Sequence, residues 1–268
     1  MELFRKFLRR NGGQAHNPPP NPARGASQPD AKEVAARFKT KFGIDFSQPQ
    51  LILTALKHRS YLNVTNEPRI FSNERLEFLG DAVTNLVVTE FLYRKFPKKT
   101  EGQLSKVKSI LVSKPVMAEI AAGMSLGEML LINWGEEKTG GRQRISLLGD
   151  AFEAVVGAIY LDQGMETARR FIERYLLKDY QKILKRGLYK NYKSILLEYA
   201  QSTSKQPPEY RVVEESGPDH AKQFTVEVWV NGQKLGQGTG RSKKLAEQQA
   251  ARQAIEKLGI SPGDQLEK

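Results

Sequence analysis

The stretch NERLEFLGDAV, residues 73–83, predicts an amphipathic helix that carries acids on one side. Glu74, Glu77 and Asp81 are spaced i, i+3 and i+7, so their side chains share one narrow helix face. The apolar side chains expected on the opposite face are Leu76, Leu79, Val83 and Leu86. An acidic stripe on such a helix is usually solvated, so this stretch alone predicts a helix rather than a binding site.

A second acidic segment, DAFEAVVGAIYL at residues 150–161, changes that interpretation. Asp150 and Glu153 are its only charged residues, and a helix that is apolar on nearly all sides is buried. Buried carboxylates need a compensating cation. The sequence leaves two sources open, namely a lysine or arginine partner and a divalent metal ion shared with the first acidic helix.

The residue types available favour a hard metal ion. The chain has no cysteine and only three histidines, so carboxylate oxygens are the main candidate ligands. These oxygens suit Mg²⁺, with Mn²⁺ as a substitute, better than zinc. Glu101, in TEGQ at residues 100–103, is a further candidate acid, although an acid in the first turn of a helix equally suits the helix dipole.

The composition limits the class of protein. The 268 residues fit one or two domains, and a hydrophobic content of 39% excludes a fully disordered or collagen-like chain. The net charge of +12 favours a polyanionic partner, either nucleic acid or a membrane surface. The lack of cysteine excludes a disulfide framework and a thiol nucleophile, and it fits a reducing compartment. No apolar run reaches the roughly 18–20 residues of a membrane span, so none is expected.

The pattern along the chain predicts two domains and two tails. Residues 1–31 form a basic, proline-rich tail that is expected to be disordered, with an organelle transit peptide or a weak membrane-surface helix left open. Residues 32–186 show helical periodicity and no clear strand, so the first domain is predicted to be all-helical. After a linker at 187–190, residues 191–260 change to one helix, three alternating strands with an asparagine-glycine hairpin turn, and a last helix. Residues 261–268 are the second tail.

Proline and glycine mark helix ends in the first domain. Residues 73–96 form a long periodic helix that stops before Pro97. Residues 100–124 hold one or two helices with a break near Lys114-Pro115. Residues 146–160 and 165–184 are predicted as two further helices.

The last helix opens with Ser242-Lys243-Lys244, a pattern that can bind phosphate. Backbone N–H groups and the dipole at a helix N-terminus favour anions, and adjacent lysines reinforce that preference. A paired-lysine helix start is by itself more typical of a soluble surface, so the prediction depends on the fold around it.

Four segments resemble the endonuclease domain of the ribonuclease III family, in the family's order. They are HRSY at 58–61, the stretch 73–83, EGQLS at 101–105 and the stretch 150–161. Residues 191–260 resemble the double-stranded RNA-binding domain. The resemblance covers roughly residues 32–260 and implies an all-α endonuclease domain followed by a small α+β domain with the order α-β-β-β-α.

The resemblance implies roles for individual side chains. The residues that match the family's metal-binding acids are Glu77, Asp81, Asp150 and Glu153. Of these, Asp81 and Glu153 match the catalytic positions. The matches to accessory acids, near the substrate and the dimer interface, are Glu74 and Glu101. The matches to RNA-contacting residues are Gln201 and His220 for the minor groove, and Lys243 and Lys244 for phosphates. Leu197 departs from the pattern, because many relatives carry glutamine there, and this puts one minor-groove contact in question.

The resemblance further implies a homodimeric, Mg²⁺-dependent endoribonuclease that hydrolyses double-stranded RNA. Its products would have 5′-phosphate and 3′-hydroxyl ends with a short 3′ overhang. Its expected substrates are ribosomal RNA precursors and structured messenger RNA in the cytoplasm. Two alternatives remain. One is a duplex-RNA chaperone or scaffold whose nuclease domain serves only dimerisation, which the intact acids argue against. The other is a DNA-binding protein, which the basic charge alone would allow.

Overall fold

The computed structural model describes residues 28–185, 192–203, 206–218 and 221–260, and the chain divides between Ile183 and Leu184 into two compact units. The α-helices up to residue 185 are α1 Ala31–Phe42, α2 Pro49–Ala55, α3 Leu62–Thr65, α4 Glu74–Lys95, α5 Glu101–Leu111, α6 Lys114–Gly123, α7 Trp134–Lys138, α8 Ile145–Ile172 and α9 Tyr180–Lys185. Short 3₁₀ turns are Arg59–Tyr61, Arg69–Phe71, Leu126–Met129 and Gly141–Gln143, and Glu173–Leu177 is a π-helical turn. The prediction of an all-helical first domain is confirmed, since residues 28–185 contain no strand beyond a single bridge between Lys57 and Leu131.

Helix ends follow local capping chemistry. The Asp30 carboxylate accepts a hydrogen bond from the Lys32 backbone N–H at 3.0 Å and so starts α1. Thr100 and Gln103 form a reciprocal capping box at the start of α5. The predicted break near Lys114 is confirmed, because α5 ends at Leu111 and Pro115 lies in the first turn of α6, where its missing N–H needs no partner.

The helices α4 and α8 form the centre of the first unit and contact each other through their backbones. A Cβ atom on Gly80 would lie 1.8 Å from the carbonyl oxygen of Glu153, and one on Gly157 would lie 2.3 Å from that of Leu76. No side chain larger than hydrogen fits at either position. The two acidic helices therefore pack backbone to backbone at these glycines, which brings their acids close to each other.

The apolar residues predicted opposite the acids of α4 differ in burial. Leu76 and Val83 are buried, whereas Leu86 is 55% exposed. The buried residues of α4 continue through Val87, Val88 and Leu92. Leu86 belongs to a separate apolar face that no part of the described chain covers.

The second unit has the predicted order of helix, three strands and helix. Its elements are α10 Tyr192–Thr203, β1 Glu209–Ser216, β2 Gln223–Val230, β3 Gln233–Gly240 and α11 Lys243–Lys257. The sheet is antiparallel with the order β1-β2-β3. Asn231 and Gly232 both have positive φ, 52° and 74°, which matches a tight hairpin turn between β2 and β3.

Both helices of the second unit pack on one face of the sheet. The core contains Leu196 and Ala200 from α10, Val228 from β2, and Ala250 and Ala254 from α11. The three-residue and four-residue spacing of small side chains on α11 lets that helix lie close to the strands. Among the residues expected in this core, the structure buries Val226, Val228, Ala246 and Ala250, and it half-buries Phe224.

Several predicted segments fall outside the described residues. They include most of the first tail, the linker at 187–190 and the second tail. The helix α1 begins at Ala31, one residue before the predicted start of the first domain. The exact domain boundaries stay a prediction. Within the described residues, no helix is both long and apolar enough to span a membrane.

Candidate metal centre and nucleic-acid interface

Three of the predicted acids converge between α4 and α8. Glu77 comes from α4, and Asp150 and Glu153 come from α8; one carboxylate oxygen of each lies within 4.8 Å of the other two. The spacing of three residues places both α8 acids on one side of that helix, and the backbone contact at Gly80 and Gly157 brings Glu77 to the same side. Glu153 is buried, while Glu77 and Asp150 are half-buried.

Lys114, the first residue of α6, supplies a cation to all three acids. Its Nζ donates hydrogen bonds to Glu77 Oε1 at 2.9 Å and to Glu153 Oε2 at 2.7 Å, and it forms an ion pair with Asp150 Oδ1. The sequence left a lysine or arginine partner open but gave no signal for this residue, which stood out only as part of a helix break. The acids are 36–39 positions away from it along the chain.

Burial and charge act against each other at this cluster. The pKa of Glu153 is raised to about 7, chiefly by burial and also by the charges of Asp81 and Glu77, while Lys114 acts to lower it. Burial likewise raises the pKa of Glu77, against the hydrogen bond from Lys114. Burial alone would lower the pKa of Lys114, but its bonds to the three carboxylates outweigh burial and hold that pKa well above its usual range. The ammonium is therefore fully charged near neutral pH.

Asp81, predicted as a fourth metal-binding acid, lies outside the cluster of three. Its side chain is exposed, and its Oδ1 accepts a hydrogen bond from Asn85 Nδ2 at 2.8 Å. Its charge nevertheless acts on Glu153, because it contributes to the raised pKa of that carboxyl. The metal-binding and catalytic roles of Asp81 stay predictions.

The two accessory acids occupy separate positions at the surface. Glu74, at the start of α4, accepts hydrogen bonds from Arg69 Nε and Nη2 at 2.9 Å each, and these bonds lower the pKa of its carboxyl. Glu101, at the start of α5, is exposed and accepts a bond from Ser105 Oγ at 2.6 Å. Neither acid belongs to the cluster of three.

The residues present fit a hard divalent cation. The donor set consists of carboxylate oxygens from three side chains, the ligand type that Mg²⁺ and Mn²⁺ prefer. The point that these oxygens share already accommodates a positive group, the ammonium of Lys114. A site that binds an ammonium with three carboxylates has the charge that a metal ion needs.

The HRSY segment lies within electrostatic range of this cluster, because the charge of Asp150 acts on the pKa of His58. The Nδ1 of His58 accepts a hydrogen bond from the Ser60 backbone N–H at 3.2 Å, so the ring is fixed. Burial lowers the pKa of His58, which leaves the ring neutral near pH 7. His58 and Ser60 line an open cavity of about 390 Å³ together with Arg59, Arg69 and Glu136.

The predicted phosphate-binding lysines lie at the start of α11. Lys243 and Lys244 are both exposed, and Ser242 Oγ caps the helix by accepting from the Leu245 N–H at 3.3 Å. Lys243 Nζ lies 2.8 Å from Glu215 Oε1 on β1. The hydrogen bond from Lys243 lowers the pKa of the Glu215 carboxyl, which therefore stays ionised.

The other predicted RNA contacts are described only in part. Gln201 is exposed near the end of α10, and Leu197, one turn earlier on that helix, is 37% exposed. His220 lies outside the described residues. The roles of Gln201, His220, Lys243 and Lys244 in RNA contact stay predictions.

Comparisons with known proteins match both units. Residues 48–180 match the family model described as ribonuclease-III-like, and residues 192–258 match the double-stranded RNA binding motif. The chain is 45% identical over 226 residues to ribonuclease 3 of Desulforamulus reducens, covering 84% of this chain and 92% of that protein. It is 45% identical over 213 residues to ribonuclease 3 of Aliarcobacter butzleri, covering 80% and 92%. It is also similar to a solved structure of the nuclease domain of ribonuclease III from Campylobacter jejuni, which concerns flexibility in a region involved in dimer formation. That match has 39% identity and a TM-score of 0.50, and it covers 54% of this chain and 97% of that domain.

Proposed function

Since the chain belongs to the ribonuclease III family, we propose that it hydrolyses the phosphodiester bonds of double-stranded RNA with Mg²⁺ as cofactor. The chain is an endoribonuclease with a double-stranded RNA-binding domain. The proposal adds the metal and the products, which are 5′-phosphate and 3′-hydroxyl ends with a short 3′ overhang. It is carried by one observation, the convergence of Glu77, Asp150 and Glu153 on a single point between two helices packed backbone to backbone.

Each acid of the cluster has a proposed task. Glu77, Asp150 and Glu153 would hold the cation, and the approach of their carboxylate oxygens within 4.8 Å supports this arrangement. A bound Mg²⁺ would supply a Lewis acid for the phosphodiester and would lower the pKa of a bound water. Asp81 is proposed as a fourth metal-binding acid, because its charge already acts on Glu153. We further propose that Asp81 and Glu153 are the two catalytic residues.

Glu74 and Glu101 are proposed to contact the RNA substrate directly. Both carboxylates are at the surface and held in place, Glu74 by Arg69 and Glu101 by Ser105. Oriented carboxylates can accept hydrogen bonds from 2′-hydroxyl groups, the feature that distinguishes RNA from DNA. This assignment gives the two acids a role that does not need a metal ion.

The second unit is proposed to bind the duplex through the start of α11, the end of α10 and His220. Lys243 and Lys244 would neutralise phosphates, since both are exposed at a helix N-terminus that also favours anions. Gln201 and His220 would contact the minor groove. Glu215 pairs with Lys243 in this structure, so a phosphate would take the place of that carboxylate.

The enzyme is proposed to act as a homodimer through one face of α4. Phe78, Leu86 and Tyr93 are 82%, 55% and 73% exposed and follow one another at intervals of eight and seven residues, which places them on one side of the helix. A row of large apolar side chains in contact with water favours association, and a second copy offers the same row.

The proposed biological substrates are precursors of ribosomal RNA and structured messenger RNA, and the proposed compartment is the cytoplasm. This part of the proposal depends on family membership and not on any contact described above. Sequencing of RNA that accumulates when the enzyme is depleted would test it.

Cleavage of a long RNA duplex by the variant Glu153→Gln tests the metal site. We expect Mg²⁺-dependent cleavage to be lost while binding in a gel shift is kept, because the RNA-binding unit is unchanged. The matched control is Glu128→Gln, which makes the same change at an exposed acid of the first unit. Full cleavage by Glu153→Gln would refute the metal assignment. Equal displacement of duplex RNA by B-form DNA at matched salt would refute the RNA assignment.

A further inference from the structure

The ammonium of Lys114 lies where the three carboxylates converge. Nζ is 2.9 Å from Glu77 Oε1 and 2.7 Å from Glu153 Oε2, and it is paired with Asp150 Oδ1. An ammonium has three N–H donors and no acceptor. All three donors of Lys114 are therefore directed at acids of the cluster.

A metal ion would need the same oxygen atoms. Mg²⁺ binds its oxygen ligands at about 2.0–2.1 Å and requires them around a single centre. Two positive groups cannot occupy that centre together. We infer that Lys114 is the internal counter-ion of the metal-free site, and that a divalent metal ion must displace its ammonium in order to bind. The inference rests on the proposed metal site formed by Glu77, Asp150 and Glu153.

The surroundings of Lys114 leave room for this exchange. Its side chain is 37% exposed, so part of it already contacts water. Its stem lies on Gly149, where an added Cβ would be 2.8 Å from Lys114 Cδ and 3.0 Å from Cγ. A lysine carries its charge on a flexible four-carbon stem, so side-chain rotation alone can move the ammonium out. The helices that hold the acids need not move.

The two states of the site depend on Lys114 in opposite ways. In the metal-free protein the ammonium offsets the repulsion among Glu77, Asp150 and Glu153. During metal binding the same ammonium competes for their oxygens, and the observed affinity is lowered by the free energy needed to displace it. Removal of the ammonium should therefore lower the stability of the metal-free protein and raise the affinity for metal.

The test compares Mn²⁺ binding by the full chain, without RNA, in the wild type and in Lys114→Met. Methionine approximates the length of the stem and removes the charge. Lys98→Met is the matched control, because it removes the same charge from an exposed lysine of the first unit. The free Mn²⁺ signal in electron paramagnetic resonance and isothermal titration calorimetry both report the Kd. We expect a Kd at least tenfold lower for Lys114→Met and unchanged within about twofold for Lys98→Met.

Thermal unfolding supplies a second readout. In EDTA the Tm of Lys114→Met should fall below that of the wild type, and saturating Mn²⁺ should bring the two values together. Should the metal-free variant fail to fold, Mn²⁺ must restore the far-UV circular dichroism of the wild type, and failure to do so would overturn the inference.

The outcomes separate the inference from the metal site on which it rests. One outcome is that the wild type binds Mn²⁺ while a folded Lys114→Met has the same Kd or a higher one. That result would overturn the counter-ion role of Lys114 and leave the metal site intact. Absence of Mn²⁺ binding in both proteins would overturn the metal site, and the role of Lys114 with it.

Discussion

Replacement of Glu153 by glutamine is expected to stabilise the metal-free protein at about pH 8, although it breaks an ion pair. The side chain is 6% exposed, and the pKa of its carboxyl is raised to about 7 from an ordinary 4.5, with burial as the largest cause. Lys114 favours the ionised form, whereas Asp81 and Glu77 oppose it. The raised pKa means that burial and neighbouring acids outweigh the lysine. Glutamine removes the charge and keeps an oxygen that can accept from Lys114.

The magnitude follows from the difference between the folded and unfolded chains. At about pH 8 the ionised carboxylate of Glu153 is less stable in the folded chain than in the unfolded chain by about 3 kcal/mol. Below pH 4.5 the carboxyl is protonated in both states, so it has no effect on stability. The destabilisation develops as pH rises from 4.5 and is complete above about 7. Glu153→Gln should therefore raise the free energy of unfolding by about 2–3 kcal/mol at about pH 8 and leave it nearly unchanged near pH 4.5.

Urea unfolding followed by far-UV circular dichroism measures this difference. EDTA defines the metal-free state, and Glu128→Gln controls for the loss of one charge at an exposed position. With saturating Mg²⁺ or Mn²⁺ the order should reverse, because the wild type gains the free energy of metal binding and the variant lacks a ligand. A variant that is less stable than the wild type in EDTA at about pH 8 would refute the reasoning, since the attraction to Lys114 would then exceed the cost of burial.

Three further changes test other parts of the structure. The double variant Lys243→Ala with Lys244→Ala should bind duplex RNA more weakly, and its affinity should depend less steeply on salt concentration. Fluorescence titrations at several salt concentrations would measure both, and an unchanged slope of affinity against salt would contradict phosphate contact. Gly80→Ala should lower the free energy of unfolding by at least about 3 kcal/mol because its Cβ meets the backbone of α8, whereas Gly102→Ala, with open space around it, should be nearly neutral in the same urea experiment. Phe78→Glu should convert a dimer to a monomer in size-exclusion chromatography with light scattering, and a variant that stays dimeric would exclude this face of α4 as the interface.

Much of the fold could be predicted because it depends on local spacing. The helix over 73–96 matched α4 within one residue at each end, and the break near Lys114 matched the start of α6. The alternation in β2 and the turn at Asn231-Gly232 fixed the hairpin. The exposure of Leu86 could not be predicted, because spacing along a helix does not indicate which of its apolar residues a neighbouring element covers.

The sequence by itself determined the two acidic helices, the buried character of the second one and the order of the second unit, since helical and strand periodicities specify how side chains point around their own element. Only the tertiary structure decided which acids meet. Glu77, Asp150 and Glu153 converge because α4 and α8 touch at two glycines, while Asp81, one turn further along α4, remains at the surface. The role of Lys114 also depended on packing. Its partners Glu77 and Glu153 lie 37 and 39 residues away along the chain, and no local pattern links residues at that separation.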